Sequence, residues 1–286
     1  MKLPISVIIL THNEELNIGN CLKSVADWAN EIIIVDSFSN DKTLEIVKKY
    51  TNKIAQRKFI NQAEQFNWAL DNLEIKNDWI LRLDADEYLT EELKREIAEV
   101  LPGTSSETAG FYIKRRVYFL GRFIKYGGYY PTWLLRLFKK GKARSEERKM
   151  DEHLVLLEGK AERLKNDFID DNKKNLSWWI QKHNNYASRE AEEMIKNTGT
   201  FDILGTPNVQ KLKGQAVIKK WLKDNFYYRL PLFCRACLYF GYRYFIRLGF
   251  LDGKEGLIFH FLQGFWYRFL VDAKIYEQKI KNLKSI

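Results

Sequence analysis

Cysteine is scarce, with three in 286 residues, at positions 21, 234 and 237. Three thiols cannot build the disulfide framework of a small secreted domain, so a reducing, cytosol-facing location is expected. Long apolar runs are missing as well. No segment offers the about 18 uncharged apolar residues that a membrane-spanning helix requires. The opening MKLPISVIILTHNEE has too short an apolar stretch, and no small-residue cleavage site, for a secretory signal. Apolar residues as such are not lacking. At 45% hydrophobic and 29% charged the chain is a normal globular mixture, which excludes a disordered protein and allows one substantial core with a smaller appendage.

Acidic residues are sparse at one end only. From residue 211 onward there are 15 Lys and Arg against 5 Asp and Glu, whereas the first 210 residues hold 32 of each, so the net charge of +10 belongs to the tail. Between Trp221 and Leu270 lie 17 of the 41 aromatic residues. The two ends therefore have different roles, and the basic one calls for an acidic partner.

The first half alternates strand-like and helix-like stretches. PISVIIL is a continuous β-branched run of the kind found in buried parallel strands, and Ile18, Cys21, Leu22 and Val25 recur at helical spacing. EIIIVD precedes the helical KTLEIVKKY; a weaker strand near KIAQRK precedes the helical NQAEQFNWALDNL; WILRLD is the fourth run. Such alternation predicts an α/β fold, a mostly parallel sheet with right-handed crossovers, in which ligands bind beyond the carboxyl ends of the strands. The polar ends THNEE, DSFSND and DADE then converge on one edge. Each has a plain structural reading, Thr11 or Asn13 and then Asp41 as helix caps among them. LDADE is the hardest to explain that way. Asp84, Asp86 and Glu87 fall within four positions at the end of an apolar run, where they repel one another unless something positive sits among them.

On these residues the chain resembles the family 2 glycosyltransferases of the GT-A (Rossmann-like) fold. SVIILTHNEELNIGNCLKSV, EIIIVDSFSNDKTLEI and WILRLDADE look like that family's opening strand, its nucleotide-contacting acidic strand end and its Asp-x-Asp motif, in the right order. GGYYPTWLLRLFKKGKAR, DEHLVLLEGK and LDGKEGLIFHFLQGFWYRFLVDAKIYE are similar to a subgroup that builds lipopolysaccharide core and other bacterial surface glycans, including core β-1,4-glucosyltransferases.

The resemblance implies an inverting, metal-dependent transfer from a nucleotide-sugar donor, UDP-linked by expectation, to a lipid-linked or lipopolysaccharide acceptor. The positive group among the carboxylates would be Mn²⁺ or Mg²⁺, which takes hard oxygen ligands and meets the diphosphate. Asp86 is the expected metal ligand, with His153 as a further ligand; Asp84 lies near the ribose or the metal's water shell; Asp36 accepts from the base edge. Thr11, Asn13 and Glu14 line the nucleoside pocket, and Gln65 and Asn67 are candidates for it. Glu152 is favoured as the base that deprotonates the acceptor, with Asp151 as the alternative.

In CRAC, Cys234 and Cys237 lack the second pair a structural zinc needs. The helical LSWWIQKHNNYASREAEEM carries Trp178, Trp179, His183 and Arg189, and packing across the sheet is preferred to a role at the acceptor. The glycine-bearing NTGTFDILGTPNVQKLKG reads as a linker, which puts a transferase domain at 1–205 and a helical region at 206–286. In LFCRACLYFGYRYFIRLGF, helical spacing sets Arg235, Arg243 and Arg247 within about 120° of arc opposite Leu, Phe and Tyr, an amphipathic pattern suited to an anionic membrane surface. The expected location is the cytoplasmic face of the inner membrane, peripheral or monotopic; the other use of these helices is a core or a homodimer interface. Two further readings are an inactive transferase-like scaffold, against which the intact DADE counts, and a basic nucleic-acid-binding protein. The tail is too apolar for the latter and the carboxylates would repel a polyanion, so no nucleic-acid partner is expected.

Overall fold

The computed structural model describes residues 2–146, 153–198 and 230–284. The chain divides into two compact units, Met1–Phe123 with Tyr129–Lys173, and Ile124–Gly128 with Lys174–Ile286. The linker expected around residue 205 lies outside the described residues.

The first unit is a mixed α/β structure. Its strands are β1 (Leu3–Thr11), β2 (Ala29–Asp36), β3 (Ile54–Gln56), β4 (Trp79–Asp84), β5 (Glu87–Leu89), β6 (Thr108–Phe119), β7 (Arg122–Phe123), β8 (Thr132–Lys139), β9 (Ala143–Ser145), β10 (Leu154–Leu156) and β11 (Lys160–Asp170). Among them run α1 (Ile18–Val25), α2 (Thr43–Val47), α3 (Gln62–Asn72) and α4 (Glu91–Val100). The main sheet has the order β3-β2-β1-β4-β8-β6-β11-β5; β7 pairs with β6, and β9 with β10 as a separate ribbon.

The continuous apolar runs exist because both faces of the sheet are covered. Ile5, Val7 and Ile9 of β1 and Ile32 and Ile34 of β2 point to one side, where they meet Ile18, Cys21, Leu22 and Val25 of α1 and Leu93 and Ile97 of α4. The alternate residues Ile8, Leu10, Ile33 and Val35 point to the other, against Phe66 and Ala69 of α3. Burying any one of these aliphatic side chains contributes about 1.5–3 kcal/mol.

Strands β1, β2, β3 and β4 are mutually parallel, as expected, and β6 pairs in parallel with β11. The sheet is not parallel throughout: β8 lies antiparallel between β4 and β6, and β5 antiparallel to β11. Register sets the site, because Thr11 is level with Asp36, and Leu10 with Asp84. One irregularity matters. In the β6–β8 ladder Phe111 faces Leu137 and Tyr112 faces Leu135, so Arg136 is an extra residue, a β-bulge that re-aims its side chain.

The second unit is helical: α5 (Leu176–Thr198), α6 (Cys234–Gly241), a π-helical stretch Tyr242–Ile246, α7 (Gly253–His260), a second π stretch Phe261–Trp266 and α8 (Tyr267–Lys284). Ala187 and Ala191 of α5 pack on Tyr267, Val271 and Ile275 of α8. So α5 is a packing helix, with α8 as its partner. His183 stacks on Trp179 with ring centroids 3.5 Å apart, and burial holds its imidazole down to about 4. No helix among the described residues is long and apolar enough to cross a membrane.

The expected basic face of the tail is corrected at one position. Arg235 is buried and paired with the buried Asp272, its Nε donating to Asp272 Oδ1 at 2.8 Å, so it is not presented to a surface. The 100° spacing also stops at Tyr242, because a π turn holds more residues than an α turn and rotates later side chains away from the extrapolated face. Leu238, Phe245, Ile246, Leu251 and Phe261 are instead exposed.

Candidate active site

At the carboxyl end of β1 the chain turns through Asn13 in the left-handed region, φ 54°, which asparagine tolerates. The turn is laced to the loop after β2. Asn13 N donates to Ser39 Oγ at 2.9 Å, Asn40 N donates back to Asn13 Oδ1 at 2.9 Å, and Glu14 N donates to Thr43 Oγ1 at 2.7 Å. Asp41 accepts from Thr43 N at 2.9 Å and from Glu15 N at 3.1 Å, joining the two loops; it is not the N-cap expected from the sequence, since Lys42 holds that position. Glu14 accepts from Asn17 Nδ2 at 2.6 Å, and Asn17 Oδ1 from Lys173 N at 2.8 Å.

Asp36 is fully buried at the end of β2, where its carboxylate accepts from Ser39 N at 3.0 Å and Gln56 Nε2 at 3.1 Å, with Ser39 Oγ on the other oxygen. Beside it, Thr11 is buried and its Oγ1 has no hydrogen-bond partner among the described residues. Such a hydroxyl costs about 1–3 kcal/mol until something satisfies it. Gln65 and Asn67 are buried, not solvent-facing. Gln65 Nε2 donates to Ser37 Oγ at 2.7 Å; Asn67 clamps Ser145 from both sides, Nδ2 to its carbonyl at 3.0 Å and Oδ1 from its N–H at 2.9 Å.

The carboxylates after β4 have arginines among them. Arg82, two residues earlier on the same face, has Nη2 3.6 Å from Asp84 Oδ1, and the bulged Arg136 puts Nη2 3.4 Å from Asp84 Oδ2 and against Glu87. Glu87 is buried and also accepts from Asp84 N at 2.9 Å. Burial pushes its carboxyl above the ordinary value, with Asp84, Asp170 and Asp86 adding and Arg136 opposing. Burial acts to lower the Arg136 guanidinium, but Glu87 and Asp84 outweigh it and hold it above its ordinary value. Burial first, then Glu87, Asp86 and Asp84, push the thiol of nearby Cys21 well above its ordinary value.

Asp86 is the carboxylate these arginines do not engage. Its Oδ2 accepts from Asn172 Nδ2 at 2.8 Å and its backbone carbonyl from Asp171 N at 3.0 Å, while Oδ1 takes no hydrogen bond among the described residues. A half-exposed carboxylate with one open oxygen is a hard donor suited to Mg²⁺ or Mn²⁺. Among the described residues no group of three or more His, Cys, Asp or Glu is assembled around it. The expected bases Asp151 and Glu152 lie outside the described residues. Among the described residues on either side, Glu146 N donates to His153 O at 2.9 Å, and Ser145 Oγ accepts from Arg82 Nη1 at 3.1 Å.

The sequence reading missed Arg82, Arg136 and Asn172. Arg82 was in plain view in WILRLD, a charge inside an otherwise apolar strand; Arg136 in WLLRLF carries the same signal. Nothing local marks Asn172, whose partner is 86 positions away.

A family model described as Glycosyl transferase family 2 matches residues 6–153, more than half of the chain. The chain is 28% identical over 291 residues to the lipopolysaccharide core biosynthesis glycosyltransferase LpsC of Rhizobium meliloti (strain 1021), an alignment that covers 97% of this chain and 93% of that protein. An uncharacterized glycosyltransferase of Rickettsia bellii (strain RML369-C) is 37% identical over 103 residues, which cover 36% of this chain and 34% of that one. Of solved structures, S. aureus TarS 1–349 in complex with UDP aligns at TM-score 0.49 and 16% identity over 99% of this chain and 92% of its own. With its matched segment spanning β1 to the residues before β10, the chain belongs to glycosyl transferase family 2.

Proposed function

We propose that this glycosyltransferase moves a sugar, with inversion, from a nucleotide-sugar donor, UDP-linked, to a lipid-linked or lipopolysaccharide-type acceptor in the synthesis of a bacterial surface glycan. The observation that supports the donor site is the register of the strand ends, which sets the unsatisfied Thr11 hydroxyl level with Asp36 and sets Asp84 level with Leu10 on the neighbouring strand. The acceptor class rests on the similarity to LpsC along nearly the whole chain.

In this reading Thr11 donates to the nucleoside, and Asn13 and Glu14 form its rim. Asp36 exchanges its bond from the Ser39 hydroxyl for an N–H of the base. Gln65 and Asn67 act from behind, Gln65 by fixing Ser37 and Asn67 by fixing Ser145. Asp84, held between Arg82 and Arg136, faces the ribose, while Asp86, oriented by Asn172, holds the divalent cation with His153 as a further ligand. A bound Mn²⁺ or Mg²⁺ would neutralise charge on the departing diphosphate. Glu152, or Asp151 in its place, takes the acceptor's proton on the face opposite the leaving group. The second unit brings the site to the cytoplasmic face of the inner membrane, its exposed Leu238, Phe245 and Ile246 in the interface and its basic residues at anionic head groups.

A panel of nucleotide sugars, each assayed with and without Mn²⁺ or Mg²⁺ for slow hydrolysis in the absence of acceptor, tests the donor assignment. One UDP-sugar is expected to turn over with metal and not without it. Equal turnover with and without metal, or none for any donor, contradicts it.

A further inference from the structure

Beyond the carboxyl end of β4, the sheet carries a cluster that the donor site does not use. Strand β8 runs antiparallel to β4 with Leu81 opposite Leu137, so the chain ahead of Arg136 continues past that end. Trp133, three residues before Arg136, is then about 10 Å from it along the extended strand. Trp133 faces Lys114 across the β6–β8 ladder, and directly opposite residues share a sheet face. On that face Arg163 Cζ lies 4.9 Å and Lys114 Nζ 5.7 Å from the Trp133 ring centroid, and Lys114 Nζ is 5.8 Å from the ring of Tyr130.

Charge on this face is unbalanced. The buried Asp167 accepts from Arg116 Nη2 at 2.7 Å and from Tyr130 OH at 3.1 Å, and lies 3.2 Å from Lys114 Nζ. That one carboxylate answers both Lys114 and Arg116. Arg163 is exposed and forms no ion pair among the described residues, its only contact of this kind being the indole. Three cations to one acid, around a half-exposed tryptophan and a tyrosine, make a surface that recognises a ring and an anion together. Indole supplies a flat apolar platform with a polarisable face, and guanidinium a planar fork for a carboxylate or phosphate.

We infer that this face is the acceptor subsite and that it takes an anionic saccharide, a sugar bearing a carboxylate or a phosphate, with a ring over Trp133 and the charge on Arg163 and Arg116. The inference rests on the transferase reading above, which supplies the need for an acceptor beside the donor site. Asp167 holds Lys114, Arg116 and Tyr130 in place, so that only Arg163 must reorient when the saccharide arrives.

Titration calorimetry with defined saccharides tests it on the full chain. The probes are neutral maltotriose, trigalacturonate, glucose 6-phosphate and inorganic phosphate. Trigalacturonate or glucose 6-phosphate is expected to bind at least tenfold tighter than maltotriose or inorganic phosphate, and which of the two wins distinguishes carboxylate from phosphate. Arg163→Gln weakens that binding about tenfold, as the loss of one charge-assisted hydrogen bond should. Trp133→Ala does likewise and Trp133→Phe restores part of it, whereas Lys160→Gln, a charge removed elsewhere on β11, changes nothing. Equal affinity for all four probes, or binding indifferent to Arg163, overturns the subsite. So does loss of phosphatidylglycerol vesicle binding in Arg163→Gln with no saccharide binding by the wild type, which assigns the face to lipid. Binding of UDP with Mn²⁺ by the wild type is read separately: saccharide binding without it leaves the subsite standing and removes the donor reading.

Discussion

Arg136 is the residue on which the carboxylate cluster depends for folding. It is buried against Glu87, with the partly exposed Asp84 beside it, so Arg136→Met leaves the buried Glu87 without its cation. Breaking a buried pair from one side costs about 3–5 kcal/mol, whereas replacing both partners with apolar groups is far milder. Chemical denaturation should show that loss for Arg136→Met and recover part of it in the double variant with Glu87→Leu. Equal losses in single and double variants would mean the pair is not what holds the turn. The base is a separate matter. Glu152→Gln keeps shape and cannot take a proton, so transfer should slow by about 10² to 10⁴ with donor affinity little changed. A large loss in Asp151→Asn and none in Glu152→Gln would exchange the two roles.

Among the elements, the ones legible in the sequence were those whose environment is uniform along their length. Strands β1, β2 and β4 read as strands because nearly every residue is covered on one side or the other, and α1 because Ile18, Cys21, Leu22 and Val25 all enter one core. Strand β6 was not legible. In β6 the run Lys114, Arg115, Arg116 breaks any apolar alternation, and these side chains are satisfied by Asp167 and Asp170 on β11, some fifty residues further on. The bulge at Arg136 depends on the partner strand and leaves no local mark. Arg235 in the tail is misplaced for a related reason: angle alone assigns it to a surface, but its destination is set by Asp272, 37 positions away.

Helix α5 offers a pH test at this scale. His183 titrates at about 4 in the fold against an ordinary value of 6.5, mainly because burial disfavours the imidazolium. Between those values the unfolded chain binds the extra proton, so stability contributed by neutral His183 is full above 6.5 and is lost as pH falls toward 4. His183→Phe retains the stack on Trp179 and removes the titration. Its stability should fall less steeply over that range than the wild type's, by up to about 1.4 kcal/mol per pH unit. Parallel slopes would show that His183 is already charged in the fold.

At the scale of the whole molecule, composition separates the two ends and the fold assigns them different surfaces. The tail's net charge of +10 lies in the same segment as the exposed Phe245 and Ile246. Phe245→Ser with Ile246→Ser should reduce flotation with anionic vesicles, and the residual binding should weaken as salt rises, while thermal stability stays within a few degrees. Unchanged flotation would leave these side chains to a homodimer interface, which sedimentation reads directly.

Asp86 is the one carboxylate of the cluster that the arginines leave available to a cation. Calorimetric titration of UDP into the wild type and Asp86→Ala, each with Mn²⁺ and with chelator, tests it most directly. The expected result is metal-dependent UDP binding by the wild type, lost in Asp86→Ala without a change in melting temperature. Binding of the same affinity in Asp86→Ala with Mn²⁺ present would contradict it.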